Sequence, residues 1–182
     1  MTVKLKWISI LIVKQFDVQT KFCFGYSSDG RSDVDKIVNE INPYLVKIFN
    51  EVLIIEENAL KGSRFNDLSI KEMHTIEAIG MYGENTTTEV AKRTYVTVGT
   101  LTVSINNLVK KGYVERIRSE EDRRVVKLGL TKKGRLLYRL HDKFHRDMVK
   151  ETLSDLSDEE AEILVKGLRN LHLFLDRTKN SL

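Results

Sequence analysis

The stretch from Thr86 to Gly134, TTTEVAKRTYVTVGTLTVSINNLVKKGYVERIRSEEDRRVVKLGLTKKG, decides the fold. Thr86 followed three residues later by Glu89 is a capping box, so a short helix opens there and runs through Arg93. Tyr95 and Val96 sit in a tight turn. A second helix spans about Val98 to Lys111, with Leu101, Ile105, Leu108 and Val109 turned inward, and Gly112 stops it. Two short β segments follow, Tyr113–Arg118 and Val125–Leu130, joined by Ser119–Arg124. Helix, tight turn, helix and β-hairpin in that order make a winged helix–turn–helix.

The residue types suit a DNA reader. A helix entering the major groove needs a small outer face that can hydrogen-bond, and this one offers Thr97, Thr100, Thr102 and Asn106. Val98 lies at its start, and Val103 can meet a thymine methyl. The hairpin tip carries Arg118, Arg123 and Arg124, suited to phosphates or to the negative minor groove. Lys110, Lys111, Lys132 and Lys133 stand ready for flanking phosphates.

Charge agrees with this placement. The chain has 182 residues and a net charge of only +4. Residues 110–139 nevertheless hold eleven Lys/Arg against four Asp/Glu, while residues 33–74 hold five against eight and residues 151–182 four against seven. A basic block between acidic flanks points to a polyanion partner for the middle alone. The composition suits a helix-rich protein with a real core, mainly α with a small β-hairpin wing.

Outward from the centre, Ser69 and Glu72 form another capping box, opening a helix whose apolar positions are Met73, Ile76, Ile79 and Gly80; Gly83 to Asn85 is a turn. Earlier, Ile41, Leu45, Ile48, Phe49, Val52 and Leu53 recur at helical spacing. Asn42-Pro43 reads as an N-cap with proline in the first turn, leaving 34–41 as a separate turn or kinked lead-in. Gly62 ends or bends that helix. After the wing, Leu136, Leu140, Phe144 and Met148 form a stripe. Ser157 to Glu160 caps a last helix carrying Ala161, Leu164, Val165, Leu168, Leu171 and Leu175. Residues 1–32 differ from the rest: a strand-like pattern ends in a Gly/Ser/Asp linker, and an extra hairpin, a leader or an early start codon all fit. Trp7–Val13 is too short to span a bilayer, so no membrane partner is expected. Cys23 is the chain's one cysteine, which excludes an internal disulfide and suits the cytoplasm.

Residues 65–150 resemble the MarR family of bacterial regulators. The resemblance rests on Leu108-Val-Lys-Lys-Gly-Tyr-Val114, Arg118-Ser-Glu-Glu-Asp-Arg-Arg124 and Leu130-Thr-Lys-Lys-Gly134, which match the family's wing signature. It implies that Asp122 pairs with an arginine to shape the wing and that Arg124 enters the minor groove. It also implies a homodimer built from the first and last helices, with a pseudo-palindromic double-stranded DNA operator. The expected organisation is then an extension at 1–32 and a MarR-type domain at 33–182. Within it, 34–60 and 154–178 are the long N- and C-terminal dimerisation helices, and 69–134 is the winged helix–turn–helix.

Gly62-Ser-Arg-Phe65, Ser69 to Ile76 and Arg135 to His145 resemble the family's fatty-acid-biosynthesis repressor branch. That resemblance implies a repressor of fatty-acid synthesis genes with long-chain acyl-acyl carrier protein as co-repressor. Its acyl chain would lie among Leu45, Phe49, Val52, Leu53, Met73, Ile76 and Leu140, and Arg64 and Lys71 would meet the acidic carrier. No resident cofactor is implied.

Two alternatives use other residues. Zinc sensors of the same family use one histidine on the second helix and two on the helix after the wing, places that His74, His141 and His145 can fill, with Glu56 or Glu57 as carboxylate. His141-Asp-Lys-Phe-His145 is also a near miss of the zinc-hydrolase pattern, with Asp for Glu, but the sequence points to no third ligand or cleft. Cys23 has no basic or helix-terminal setting that would make it a thiol sensor. The wing assignment has a direct check. Arg124→Ala should weaken operator binding in a mobility shift while the sedimenting mass stays unchanged; undiminished binding sinks the assignment.

Overall fold

A computed structural model describes residues 31–83, 85–118, 122 and 125–180. The readings of residues 1–30, Cys23 included, lie outside the described residues. The chain divides into two compact units at Val52/Leu53.

The described part of the first unit is helical and belongs to α1, Arg31–Lys61. Asn42-Pro43 is therefore not a helix start: the helix runs through Pro43. Proline inside a helix costs about 3 kcal/mol because it lacks an N–H and crowds the preceding turn. Asn39, whose carbonyl loses that partner, is exposed, so water can take it. The apolar stripe starts earlier than the spacing suggested, with Val34, Ile37, Val38 and Ile41 all exposed.

The second unit holds α2 (Ile70–Ile79), β1 (Asn85–Thr86), α3 (Thr87–Thr94), α4 (Val98–Lys110), β2 (Val114–Arg118), β3 (Val126–Leu130), α5 (Lys132–Leu153) and α6 (Asp158–Asn180). The fold is a winged helix–turn–helix, and its boundaries follow the capping chemistry. Ser69 and Thr86 each accept a hydrogen bond from the backbone N–H of the glutamate three residues on, whose carboxylate returns to the cap. Ser157 and Glu160 do the same before α6. Gly112 ends α4 at φ 76°, a backbone conformation that side chains disfavour.

The sheet is antiparallel in the order β1-β3-β2, with Val114 opposite Leu130 and Arg118 opposite Val126. β1 was not visible in the sequence, because two residues show no alternation. Ile79, Val90, Leu101, Ile105, Leu108, Tyr113, Val114 and Leu128 form the core. The inner face of α5 is Gly134, Leu137 and His141, one position off the expected stripe; Leu140 and Met148 are exposed. The stripe shifts because His141, a polar residue, has a buried partner described below.

The Leu-Thr-x-x-Gly signature is a joint between wing and α5. Thr131 caps α5 by accepting from the Gly134 N–H, and its hydroxyl reaches the carbonyls of Gly112 and Tyr113. A Cβ on Gly134 would stand 2.2 Å from the Tyr113 carbonyl oxygen, so only glycine fits. Beneath the joint, Lys111 donates to both carboxylate oxygens of Glu72 at 2.8 and 2.9 Å, and the Tyr113 hydroxyl donates to Asp67 at 2.7 Å. Burial raises the Glu72 pKa, but hydrogen bonds from Lys111 and Ser69 outweigh it and hold the carboxyl below its ordinary value. A depressed carboxylate stabilises the fold above its unfolded pKa and loses that contribution as pH falls through the folded one. Glu72→Gln should therefore destabilise the protein by about 1 kcal/mol at neutral pH. In urea melts the gap to wild type should close as the pH drops below 4.5, the ordinary value for this group; a pH-independent gap would rule out the ion pair as its source.

Candidate functional site

Tyr95 adopts φ 54° and turns the chain between α3 and α4. Thr97 caps α4, accepting from the Thr100 N–H at 3.1 Å, and the two hydroxyls lie 2.8 Å apart. The Thr102 hydroxyl donates to the Val98 carbonyl at 2.7 Å, so toward a ligand it presents an acceptor. Thr97, Val98, Thr100, Val103, Asn106 and Lys110 are exposed, and Thr102 is half-buried. No charged side chain lies on α4 before Lys110. A small, uncharged outer face of this kind can approach base edges closely.

The wing lies beside this helix. Glu115 and Ile117 cover the Gly129 face of the sheet, while Arg116 and Arg118 alternate to the other face and are exposed. Arg116 Nη2 donates to Asn106 Oδ1 at 2.6 Å. The sequence reading passed over Arg116; its period-two relation to Val114 and Arg118 was the available signal. The Asp122 carbonyl accepts from the Val125 N–H at the hairpin turn. Arg123 and Arg124 lie outside the described residues. Two lysines expected at phosphates are engaged internally. Lys111 binds Glu72, and Lys133 lies 3.5 Å from Asp67 and 3.9 Å from the Tyr113 ring centroid. Lys110 and Lys132 are exposed.

A second constellation surrounds Glu56, whose side chain is only 3% exposed. Its Oε1 lies 3.0 Å from His141 Nε2 and 3.1 Å from His145 Nε2, and those two nitrogens are 3.1 Å apart. Its Oε2 lies 3.2 Å from His74 Nε2. Three donor atoms thus form a near-equilateral triangle. A tetrahedral zinc site with bonds of about 2.0–2.1 Å has donor–donor edges of roughly 3.3 Å, so the set fits such an ion with little movement. Of the two carboxylates offered by the sequence, Glu56 joins the histidines and Glu57 pairs with Lys61. Glu56 thus stands as the third donor beside His141 and His145. Asp142, the residue standing where a hydrolase would hold its general base, pairs with Arg146 at 2.7 Å instead.

An apolar pocket of about 220 Å³ adjoins this cluster. Leu60, Phe65, Met73, Leu137, Leu140 and Phe144 line it, and Glu56 and His141 form its polar wall.

Comparison with known proteins places the chain. The sequence model described as the MarR family matches residues 66–125. The uncharacterized HTH-type transcriptional regulator YfiV of Bacillus subtilis is 31% identical over 114 residues, 62% of this chain and 71% of that protein. The HTH-type transcriptional repressor YetL of the same organism is 33% identical over 84 residues, 46% of this chain and 50% of that protein. The crystal structure of Streptococcus pneumoniae FabT in complex with DNA is 56% identical, with a TM-score of 0.71, covering 76% of this chain and 97% of that one. The chain belongs to the MarR family. It is a DNA-binding transcription regulator, as its relatives YfiV and YetL are transcriptional regulators.

Among MarR-family expectations for an effector pocket, Met73 and Leu140 line the pocket, whereas Ile76 is 1% exposed and part of the core. Leu53 is 42% exposed and does not line it. Leu45, Phe49 and Val52 belong to the first unit, where Phe49 is exposed and the other two are half-buried. No helix among the described residues is long and apolar enough to cross a membrane.

Proposed function

We propose that this MarR-family chain is a dimeric repressor of fatty-acid-synthesis genes with long-chain acyl-acyl carrier protein as its co-repressor. The likeness to FabT over nearly all of that chain carries the reading, since it extends well beyond the DNA-reading module. Dimerisation is supported within each unit by uncovered apolar residues. Ile37, Ile41 and Phe49 of α1 are exposed, as are Val165, Leu168 and Leu175 of α6. Two copies would present two α4 helices to a pseudo-palindromic operator.

The apolar pocket supports an acyl ligand. At about 220 Å³ it is smaller than the usual ligand pocket of about 300–1,000 Å³, so a long chain must widen it. Widening moves α2 or α5, and this gives the ligand a differential hold on two arrangements of the winged unit. Arg64, whose guanidinium lies 5.3 Å from the centroid of the pocket residue Phe65, and exposed Lys71 suit an acidic carrier protein. A mobility shift on a fatty-acid-synthesis promoter should tighten several-fold on adding long-chain acyl-acyl carrier protein and not on adding the unacylated carrier. An identical response to both would end this reading.

A second reading, zinc-responsive repression, is favoured by one observation: His74, His141 and His145 converge on buried Glu56. Glu56, His141 and His145 would hold the ion, with His74 on the second carboxylate oxygen. Zinc would supply a charge that this buried carboxylate otherwise meets only with imidazoles. Titration against a chelator of known affinity should give one zinc per chain, weakened more than about tenfold by Glu56→Gln or His145→Ala. Equal retention by wild type and variants, or none by either, removes zinc from consideration.

A further inference from the structure

Asn106 stands on the third turn of α4, exposed beyond the threonines. An unencumbered asparagine amide both donates and accepts, which matches the major-groove edge of adenine: it accepts from N6 and donates to N7. Here the amide is not unencumbered. Arg116 reaches it from β2, and Arg116 Nη2 lies 2.6 Å from Asn106 Oδ1. A guanidinium has donors only, so the amide atom facing it must be the oxygen, and the Nδ2 group faces away. The orientation of this amide follows from chemistry alone.

Arg116 is itself held in place. It lies opposite Leu128, a fully buried residue of β3, and alternates with Val114, which is packed in the core. Its neighbours Glu115 and Ile117 point to the other face over Gly129. The strand therefore delivers the guanidinium to α4, as the pleat requires.

We infer that Arg116 is a specificity-determining partner of Asn106, and that together they form a donor-only unit reading guanine rather than adenine. The cation beside Oδ1 repels the amino hydrogens of an adenine and makes that oxygen a poor acceptor for them. Guanine presents two acceptors, N7 and O6, which complement the Asn106 amide hydrogens and the remaining guanidinium hydrogens. The inference rests on the reading that α4 enters the major groove.

Selection of bound duplexes from a random DNA library tests it, using the full chain, Arg116→Met, Arg116→Lys and Asn106→Ala. The wild type should select a guanine at one position of each half-site. Asn106→Ala should erase the preference there. Arg116→Met should relax it or shift it toward adenine, with affinity for the wild-type site down about tenfold, while other positions keep their preference. Arg116→Lys, which keeps a cationic donor, should retain guanine. Melting temperatures within a degree or two of wild type separate this from a structural role, and the lysine variant serves where the methionine variant folds poorly. An unchanged motif in Arg116→Met overturns the inference, as does an effect of Arg116 and Asn106 at different positions. A motif unchanged in Asn106→Ala also overturns it, and loss of preference at every position in all variants would instead count against α4 as the reading helix.

Discussion

A carboxylate almost wholly removed from water must be met by donors, or the fold loses several kcal/mol. Glu56 is such a group, and three imidazoles meet it. One comes from α2 and two from successive turns of α5, so this single charge ties α2 and α5 to the end of α1 that belongs to the second unit. The cost of leaving it unmet explains why α5 turns His141 inward where an apolar side chain would otherwise stand. Leu140, one residue earlier, is exposed as a consequence.

The wing rests on a second polar arrangement. Lys111 follows α4, Glu72 lies in the first turn of α2, and Asp67 precedes it; Tyr113 and Lys133 close the set from either side of the sheet. Burial and the Asp67 hydrogen bond push the Tyr113 phenol well above its usual pKa, so it remains a donor throughout the physiological range. These contacts draw Lys111 onto Glu72 and hold Lys133, which stays exposed, near Asp67. The basic character of residues 110–139 is thus partly met within the fold, while Lys110, Arg116, Arg118 and Lys132 are exposed.

What was legible in the sequence was what local chemistry dictates. Ser69 with Glu72, Thr86 with Glu89 and Ser157 with Glu160 mark helix starts because each pair satisfies its own backbone donors, with no help from the rest of the fold. The two strands of the hairpin were legible as short β segments after the glycine at Gly112, whereas their register came from the structure. The failures share a different cause. Pro43 sits mid-helix because neighbouring turns carry it, β1 exists only because β3 offers it an edge, and the inner face of α5 is set by Glu56, 85 residues away in sequence. Arg116 went unread because nothing local shows that β2 aims it at α4. The threonines were legible as a small polar face, but not in how the Thr102 hydroxyl proton is committed to its own helix.

The same contacts connect the apolar pocket with α4 and the wing. Met73 faces the pocket and His74 faces Glu56, while Thr75, on the same helix, lies with its hydroxyl 3.4 Å from that of Ser104 on α4. Successive residues of α2 therefore touch the apolar pocket, the buried carboxylate and α4. α5 repeats the pattern, with Leu137 and His141 on the pocket and Gly134 pressed against the backbone of Tyr113 at the root of the wing. A packed core of this kind does not deform gradually. A ligand that parts α2 from α5, or a charge that draws the histidines together around Glu56, must displace one of these helices as a body. Either displacement would be felt at α4 through Thr75 and at the root of the wing through Gly134.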